Sequence, residues 1–541
     1  MTSLATRTII NQHSLCAIQN SDPTNSVSST EQKVVDQVLE ALRQRTCFGG
    51  LFDSAERGEP PRCHPETRHA VISSTSSWLE GLAIQKYVRW ILGWAGVGKS
   101  ALAQSIAELF FKRGQLAASF FFSRATPDRD HIHTFVPTIA YQLATSVPGA
   151  REIIVQQMVR DATIFEKSFD GQWKALVVET LRKVPPPSVP MLIIIDGIDE
   201  CESLDEQRTL LESIIGCADR LGPSFKLLIA SRPERQIQRV FDQFPSIDKV
   251  ELGNSEQCDA DIGLFLRQSL GDIRRVYEHR GAPITAAGSS WPIDDTIQKL
   301  VAKASGQFIY ASVVVQFVKS HQGDPKVPLD LVLQSWSKSF EALDNLYLIV
   351  MENIQKSIPK KRRPLLHHLM VCILMDLVSS YNSDLSSFCP KELDKPLIKV
   401  LLGSLHPVVD SNGRFRHITF CNFLTRPSNP HPFSITSRHV SRITYRALRS
   451  LLEEPRSPWV KAKSLFCLLH SSPTPKLIFR LAFLPQKVFE GSQPILENDQ
   501  VLWHPTWLSR LLLGWLRVRV SNYDLPVFLE QISSPKHPTA Q

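Results

Sequence analysis

No stretch of this 541-residue chain is long enough to cross a bilayer. The longest apolar candidate, FIYASVVVQFV at 308–318, falls well short of the ~20 residues a spanning helix needs, and Gln316 interrupts it. The opening segment MTSLATRTIINQHSLCAIQN has no continuous apolar core, so no secretory signal is expected. The ten cysteines include no C-x-x-C pair. Scattered thiols in a long chain without a signal read as reduced and buried, in a cytoplasmic protein. No repeat recurs at a period of about 20–50 residues, which argues against an attached solenoid or propeller. Nor does a helix-turn-helix or RNA-binding signature accompany the net charge of +8. That charge is uneven: residues 341–541 hold 25 basic and 15 acidic side chains, an excess of +10 that leaves the remainder at −2. Diffuse excess charge of this kind serves solubility or an acidic partner, and nucleic acid is not the expected ligand.

What is present is globular. The chain is 43% hydrophobic and 21% charged, enough for true cores, and its length suggests about three or four domains. Residues 1 to about 30 are rich in Ser, Thr and Asn and read as poorly ordered. TEQKVVDQVLEALRQRT (30–46) carries a helical stripe at Val34, Val35, Val38, Leu39 and Leu42. Gly58, Pro60 and Pro61 then mark a boundary. Beyond it, apolar strands at 87–92, 117–123, 191–196 and 225–231 alternate with helical segments, the signature of a parallel sheet covered on both faces. After about residue 255 the strands stop and helices follow, interrupted by VVDSNGRFRHITF (408–420), which reads as a hairpin around Asn412-Gly413 and suggests a winged-helix unit. The expected divisions are an extension (1–59), an α/β domain (60–240), a helical subdomain (241–340), a winged-helix-like region (341–450) and a helical C-terminal segment (451–541).

Two motifs carry chemistry. GWAGVGKS, between the first strand and a helix, matches G-x-x-x-x-G-K-[ST]. Glycines let backbone N–H groups curl around phosphate oxygens, and the following helix points its positive N-terminus at the same anion. Gly93, Gly96, Gly98, Lys99, Ser100 and Ala101 form the phosphate-binding set, with Lys99 reaching the β- and γ-phosphates and the Ser100 hydroxyl on Mg²⁺. The second motif is MLIIIDGIDECES (191–203). An unpaired carboxylate at the end of so apolar a strand is expensive. A bound cation and triphosphate explain Asp196, which completes the metal site with Ser100. Asp199 and Glu200 are then placed to polarise an attacking water, or else to cap the next helix. Arg232, in LLIASRPER at the carboxyl end of the fourth strand, falls where ligands bind in open α/β sheets, either to meet a γ-phosphate or to serve as a salt-bridge partner.

Taken together, GWAGVGKSALAQSIAE, FFFSR, LIIIDGIDEC and LLIASRPE resemble the NACHT branch of the signal-transduction (STAND) NTPases, in particular the nephrocystin-like NACHT proteins of fungi. Gly197 followed by a hydrophobic residue, Asp and Glu is characteristic of that branch. PPRCHPETR (60–68), LVAKASGQFIYAS (300–312) and RHITFCNFL (416–424) resemble further landmarks of the family, so the likeness covers about residues 60–450. It implies an ATP- or GTP-driven switch with Mg²⁺, related to NOD-like receptors, which rests with ADP, exchanges it for ATP and assembles into homo-oligomers, with a role in fungal innate immunity or non-self recognition. It also implies that His417, on the expected hairpin, touches the ADP β-phosphate. Family members carry an effector domain and sensor repeats. Residues 1–59 are shorter than a recognised effector and 450–541 show no repeat pattern, so a truncated form or a protein effector partner is expected.

PKKRRP (359–364) reads as a solvated charge run or a nuclear address, and WLSRLLLGWLRVRV (507–520) as a core or partner-facing helix, with binding to a membrane surface as the lesser alternative. A regulatory P-loop NTPase with slow hydrolysis is the expected function. The rivals are a non-hydrolysing scaffold that holds nucleotide for structure, and a metabolic kinase, against which stands the absence of a lid segment.

Overall fold

The computed structural model describes residues 29–443, except 82–85, 125, 127, 202, 222–223, 245, 254, 280–290, 322, 336–341, 375–392, 394, 411–412, 429, 437–438 and 441. The expectations for residues 1–28, for Asn412 and for the helix at 507–520 lie outside the described residues. By its contacts the chain divides into two compact units, residues 1–275 with 285–311, and 276–284 with 312–541.

The first unit is built on five parallel strands. Helix α1 (Ser29–Arg43) follows the predicted stripe and buries Val38 and Leu42. Helix α2 (His69–Glu80) leads into β1 (Val88–Leu92), α3 (Lys99–Lys112), β2 (Leu116–Phe121), α4 (Phe135–Ser146) and α5 (Ala150–Arg160). A helical run then passes through Phe169–Trp173, a π turn at Lys174–Val178 and Glu179–Lys183. β3 (Met191–Asp196), α6 (Leu204–Ile215), β4 (Phe225–Ser231), α7 (Arg235–Asp242) and β5 (Asp248–Glu251) complete the sheet, in the order β2-β3-β4-β1-β5. Every pairing is parallel.

Period-two side-chain alternation splits the core into two layers. Ile193, Ile195, Leu227, Ile229 and Trp90 pack with α4, α5, α6 and α7 on one face. Leu192, Ile194, Leu228, Ala230 and Ile91 pack with α2 and α3 on the other. Because both faces are covered, β3 and β4 are apolar at almost every position, the feature that made them legible. Trp90 stacks on Phe241 with ring centroids 4.0 Å apart and donates its Nε1–H to Ser231 Oγ at 2.9 Å.

β5, with the sequence DKVE, escaped the sequence reading. It is a polar edge strand, alternately half-buried and exposed, so it shows no apolar run. Its first residue is secured across the sheet, since Arg89 Nε donates to Asp248 Oδ2 at 2.7 Å. The segment before α2 belongs to the same unit as the sheet. Cys47 N–H donates to Thr138 Oγ1 at 2.9 Å and Phe52 N–H to Ser119 Oγ at 3.1 Å, so the chain drapes along the edge strand β2. Helices α8 (Glu256–Glu278), α9 (Asp294–Ala304) and α10 (Phe308–Ser320) follow.

The described residues of the second unit form helices: α11 (Lys326–Gln334), α12 (Ala342–Ser357), α13 (Arg363–Leu374), α14 (Lys395–Ser404) and α15 (Ile418–Thr425). Lys360–Arg362 form an exposed 3₁₀ turn ahead of α13. The expected hairpin is shorter than the sequence suggested. One antiparallel bridge joins Val409 to Phe415, and from Ile418 the chain is helical instead of extended. The reason is local. Phe420, Phe423 and Leu424 are buried at helical spacing, and His417 accepts the Thr419 N–H at its Nδ1 (3.2 Å) as the N-cap of α15. Tyr347 of α12 bonds Thr419 Oγ1 at 2.8 Å, and Arg426 pairs with buried Asp344 at 2.7 Å, tying α15 to α12.

No helix among the described residues is long and apolar enough to cross a membrane. The described cysteines form no disulfide, and burial pushes the Cys201 thiol up to about 12.

Candidate functional site

β1 lies inside the sheet, between β4 and β5, and ends at the glycine loop. Gly93 has no room for a side chain: a Cβ would lie 2.7 Å from Leu252 O. Gly96 adopts φ +83°, and a Cβ there would meet Ile309 Cγ2 at 2.3 Å. Gly98, at φ +97°, starts α3. The carbonyls of Gly93, Trp94, Gly96, Val97 and Gly98 are tied to protein partners. Lys99 Nζ donates to Gly93 O (2.6 Å) and Trp94 O (3.0 Å), Ile309 N–H to Gly96 O (3.0 Å), Arg68 Nη2 to Val97 O (2.8 Å) and Leu102 N–H to Gly98 O (3.0 Å). The polar groups left for an anion are therefore the loop's amides, the third N–H of the Lys99 ammonium and the N-terminus of α3, which begins at Lys99 and Ser100 with Ala101 next.

Asp196 ends β3, in register with Ala230 on one side and Phe121 on the other. Its side chain is buried, and Oδ1 has no hydrogen-bond partner. Burial pushes the carboxyl up to about 6, against the pull of the neighbouring Ser100 hydroxyl and of Lys99 and Arg57. Lys99 is lowered from its ordinary value by burial, with Asp199 and Asp196 opposing the shift. An orphaned carboxylate oxygen beside a hydroxyl is a hard-oxygen donor pair that suits Mg²⁺. Among the described residues, no three His, Cys, Asp or Glu side chains gather to hold a metal by themselves. A cation at Asp196 and Ser100 would draw the rest of its shell from water and phosphate.

Gly197, at φ +77°, turns the chain from β3 into the 3₁₀ turn Ile198–Glu200. The two acidic residues of that turn part company. Asp199, 3% exposed, accepts the Arg232 N–H at Oδ1 (3.0 Å) and Arg232 Nε at Oδ2 (3.0 Å). Half-buried Glu200 accepts only the Arg124 N–H, at 3.3 Å, among the bonds formed by the described residues. Burial first, and then Asp199 and Asp196, push the Glu200 carboxyl up to about 7, with Arg232 and the Arg124 N–H opposing. A carboxyl that titrates near neutral pH is chemically able to take a proton from water.

The first unit thus brings together Gly93, Gly96, Gly98, Lys99, Ser100, Ala101, Asp196, Asp199, Glu200 and Arg232, all at the carboxyl ends of strands. His417 belongs to the second unit, where its ring caps α15. Sequence reasoning missed Arg124 and Arg68. Arg124 follows the end of β2 as Arg232 follows the end of β4, and that shared position was the available signal. Arg68 had none. It sits in left-handed backbone (φ 63°), its N–H donates to buried Asp261 (3.0 Å), and its guanidinium lies 4.8 Å from the Phe308 ring centroid while holding Val97 O.

A parallel sheet in which an inner strand, β1, opens into such a loop, with a buried aspartate ending β3 on the far side of β4, defines an α/β P-loop-type fold. Residues 69–232, from the first residue of α2 to Arg232, match the family model described as Nephrocystin 3, N-terminal. No curated protein matches the chain.

Proposed function

We propose that this chain is a nucleotide-dependent switch of the NACHT type that binds ATP or GTP with Mg²⁺ and hydrolyses it slowly. The observation that carries the reading is Asp196: a buried carboxylate with one oxygen unpartnered among the described residues, lying beside the Ser100 hydroxyl and within the field of Lys99. Such a group is costly until a cation arrives. Mg²⁺, when bound, would neutralise phosphate charge. The protein's own contributions are separable. Loop amides and Lys99 bind phosphate, Ser100 and Asp196 hold the ion, and Glu200 accepts a proton from water. A γ-phosphate contacted in one nucleotide state only gives the differential binding a switch requires. The helical region after 241 and the 341–450 segment are then the parts that read the state out, with homo-oligomerisation and an effector partner as its output.

The test is the nucleotide content of freshly purified protein, with Lys99→Ala as control. Near-stoichiometric ADP in the parent and none in the variant is the expected result. An empty site that gains no thermal stability from Mg-ATP would sink the proposal, since ligand at a hundred times its Kd adds ~2.7 kcal/mol. The salt bridge between Arg232 and Asp199 favours the second reading, a scaffold that holds nucleotide without turnover. It predicts equal stabilisation by ADP and ATP and no release of phosphate.

A further inference from the structure

Arg124 reaches the acidic turn twice. Its backbone N–H donates to Glu200 Oε2 at 3.3 Å, and its Nη2 donates to the Asp199 carbonyl oxygen at 2.8 Å. The rest of the side chain is exposed. The two bonds serve different ends. The first touches the carboxylate that would meet water, and the second ties the β2 exit to the turn carrying that carboxylate.

The backbone on which Arg124 sits is itself held. Phe122 N–H donates to Asp196 O at 2.9 Å, Ser123 N–H to Arg129 O at 3.0 Å and Thr126 N–H to Ser123 O at 3.1 Å. Arg129 Nε donates to Phe121 O at 2.9 Å. Further along, Ile132 N–H donates to Glu206 Oε2 at 3.3 Å, so the same loop is pinned to the start of α6. Glu200's own backbone is fixed through its N–H to Gly197 O at 2.7 Å. The guanidinium of Arg124 joins this held loop to the acidic turn through the Asp199 carbonyl.

We infer that Arg124 is a positioning residue for Glu200: its side chain clamps the β2 exit to the Asp199 carbonyl so that its own N–H orients the Glu200 carboxylate. The inference rests on the reading of Glu200 as the proton acceptor in hydrolysis. Arg232 does not duplicate this role, because its N–H and Nε are both engaged on Asp199.

The full chain tests it, as parent, Arg124→Ala, Arg124→Lys, Glu200→Gln and the Arg124→Ala/Glu200→Gln double variant. Single-turnover hydrolysis of Mg-ATP and equilibrium Mg-ATP affinity are measured for each. Arg124→Ala should slow hydrolysis about tenfold to a hundredfold, the scale of a slightly misplaced catalytic group. Affinity should stay within about twofold, because the lost interaction belongs to the chemical step. Lysine, which keeps a donor for the Asp199 carbonyl, should restore most of the rate. In the Glu200→Gln background Arg124→Ala should change little, since a residue acting through another has no second effect once that one is gone. An unchanged rate in Arg124→Ala overturns the inference. A loss carried in full onto the Glu200→Gln background also overturns it, and would place the guanidinium on the nucleotide. So would a parallel fall of affinity and rate in both single Arg124 variants, the mark of a damaged fold. A parent that binds Mg-ATP without turnover refutes hydrolysis itself and takes Arg124 with it. A parent that turns over while its Arg124 variants match it refutes Arg124 alone.

Discussion

Arg232 closes on both carboxylate oxygens of Asp199, with its N–H on Oδ1 and its Nε on Oδ2, each at 3.0 Å. This relationship separates two neighbours that look equivalent in GIDE. Asp199 is occupied in holding the exit of β4 to the turn after β3, while Glu200 keeps a single backbone donor.

The pair should therefore behave as a structural clip. Removing one member of a buried ion pair strands the other and costs ~3–5 kcal/mol, less where the stranded charge can reach water. Asp199→Ala strands a guanidinium that is 25% exposed, whereas Arg232→Ala strands a carboxylate that is 4% exposed and keeps only the backbone N–H on Oδ1. Arg232→Ala should therefore cost more than Asp199→Ala in urea unfolding. Equal midpoints for both variants and parent would show that the pair contributes nothing.

Asp196 should cost the empty protein stability. Its carboxyl is raised from the ordinary 3.8 to about 6, so between those values the native state holds a proton the unfolded state has lost. Stability then falls as pH rises through that window and does not recover above it. Asp196→Asn should melt higher than the parent at pH ~7–8 without Mg²⁺ and nucleotide, with the difference vanishing below pH ~4. The same variant should lose the Mg²⁺-dependent part of any gain on adding nucleotide. A lower melting temperature at neutral pH would show that the aspartate is already compensated.

Hydrolysis should depend on the Glu200 carboxylate. With that carboxyl pushed up to about 7, kcat/KM for Mg-ATP should rise with pH through about 7 and level off above it. Glu200→Gln should abolish the limb while leaving nucleotide binding intact. A limb of the same position in the variant would assign it to another group.

Gly306 should resist substitution more than its backbone angle alone requires. At φ +76° a Cβ would lie 2.4 Å from the Gly253 carbonyl oxygen, a backbone atom with no side-chain freedom. Gly114, at φ +69° with nothing within 4 Å, carries the same kind of backbone strain in open space. Gly114→Ala measures that strain, and Gly306→Ala should exceed it by about 1–3 kcal/mol in thermal or urea unfolding. Equal losses would mean that the α9–α10 turn shifts freely.

Much of the fold was legible before any coordinates. Strands buried on both faces must be apolar almost throughout, so four of the five declared themselves. The glycine loop between strand and helix declared itself by its spacing, because few other residue types allow the positive φ that Gly96 and Gly98 adopt. Each of these signals is local in the chain, carried by composition and spacing over a dozen residues or fewer. The polar strand at 248–251 was invisible for the converse reason: an edge strand needs no apolar run, and it forms because β1 offers it a partner. The helical start at Ile418 was hidden by β-branched and aromatic neighbours that fit a strand equally well.

What the tertiary structure decided is which charges meet. Nothing in GIDE distinguishes Asp199 from Glu200; the position of Arg232 at the neighbouring strand end does. Nothing in PPRCHPETR places Arg68 on the Val97 carbonyl, and nothing in FFFSR places Arg124 on Glu200. Composition and periodicity determine a parallel sheet with a glycine loop after its first strand, because burial and backbone conformation act within each segment. The roles of the individual side chains around that loop are set by contacts between segments far apart in sequence, which only the folded arrangement of the strands brings into reach.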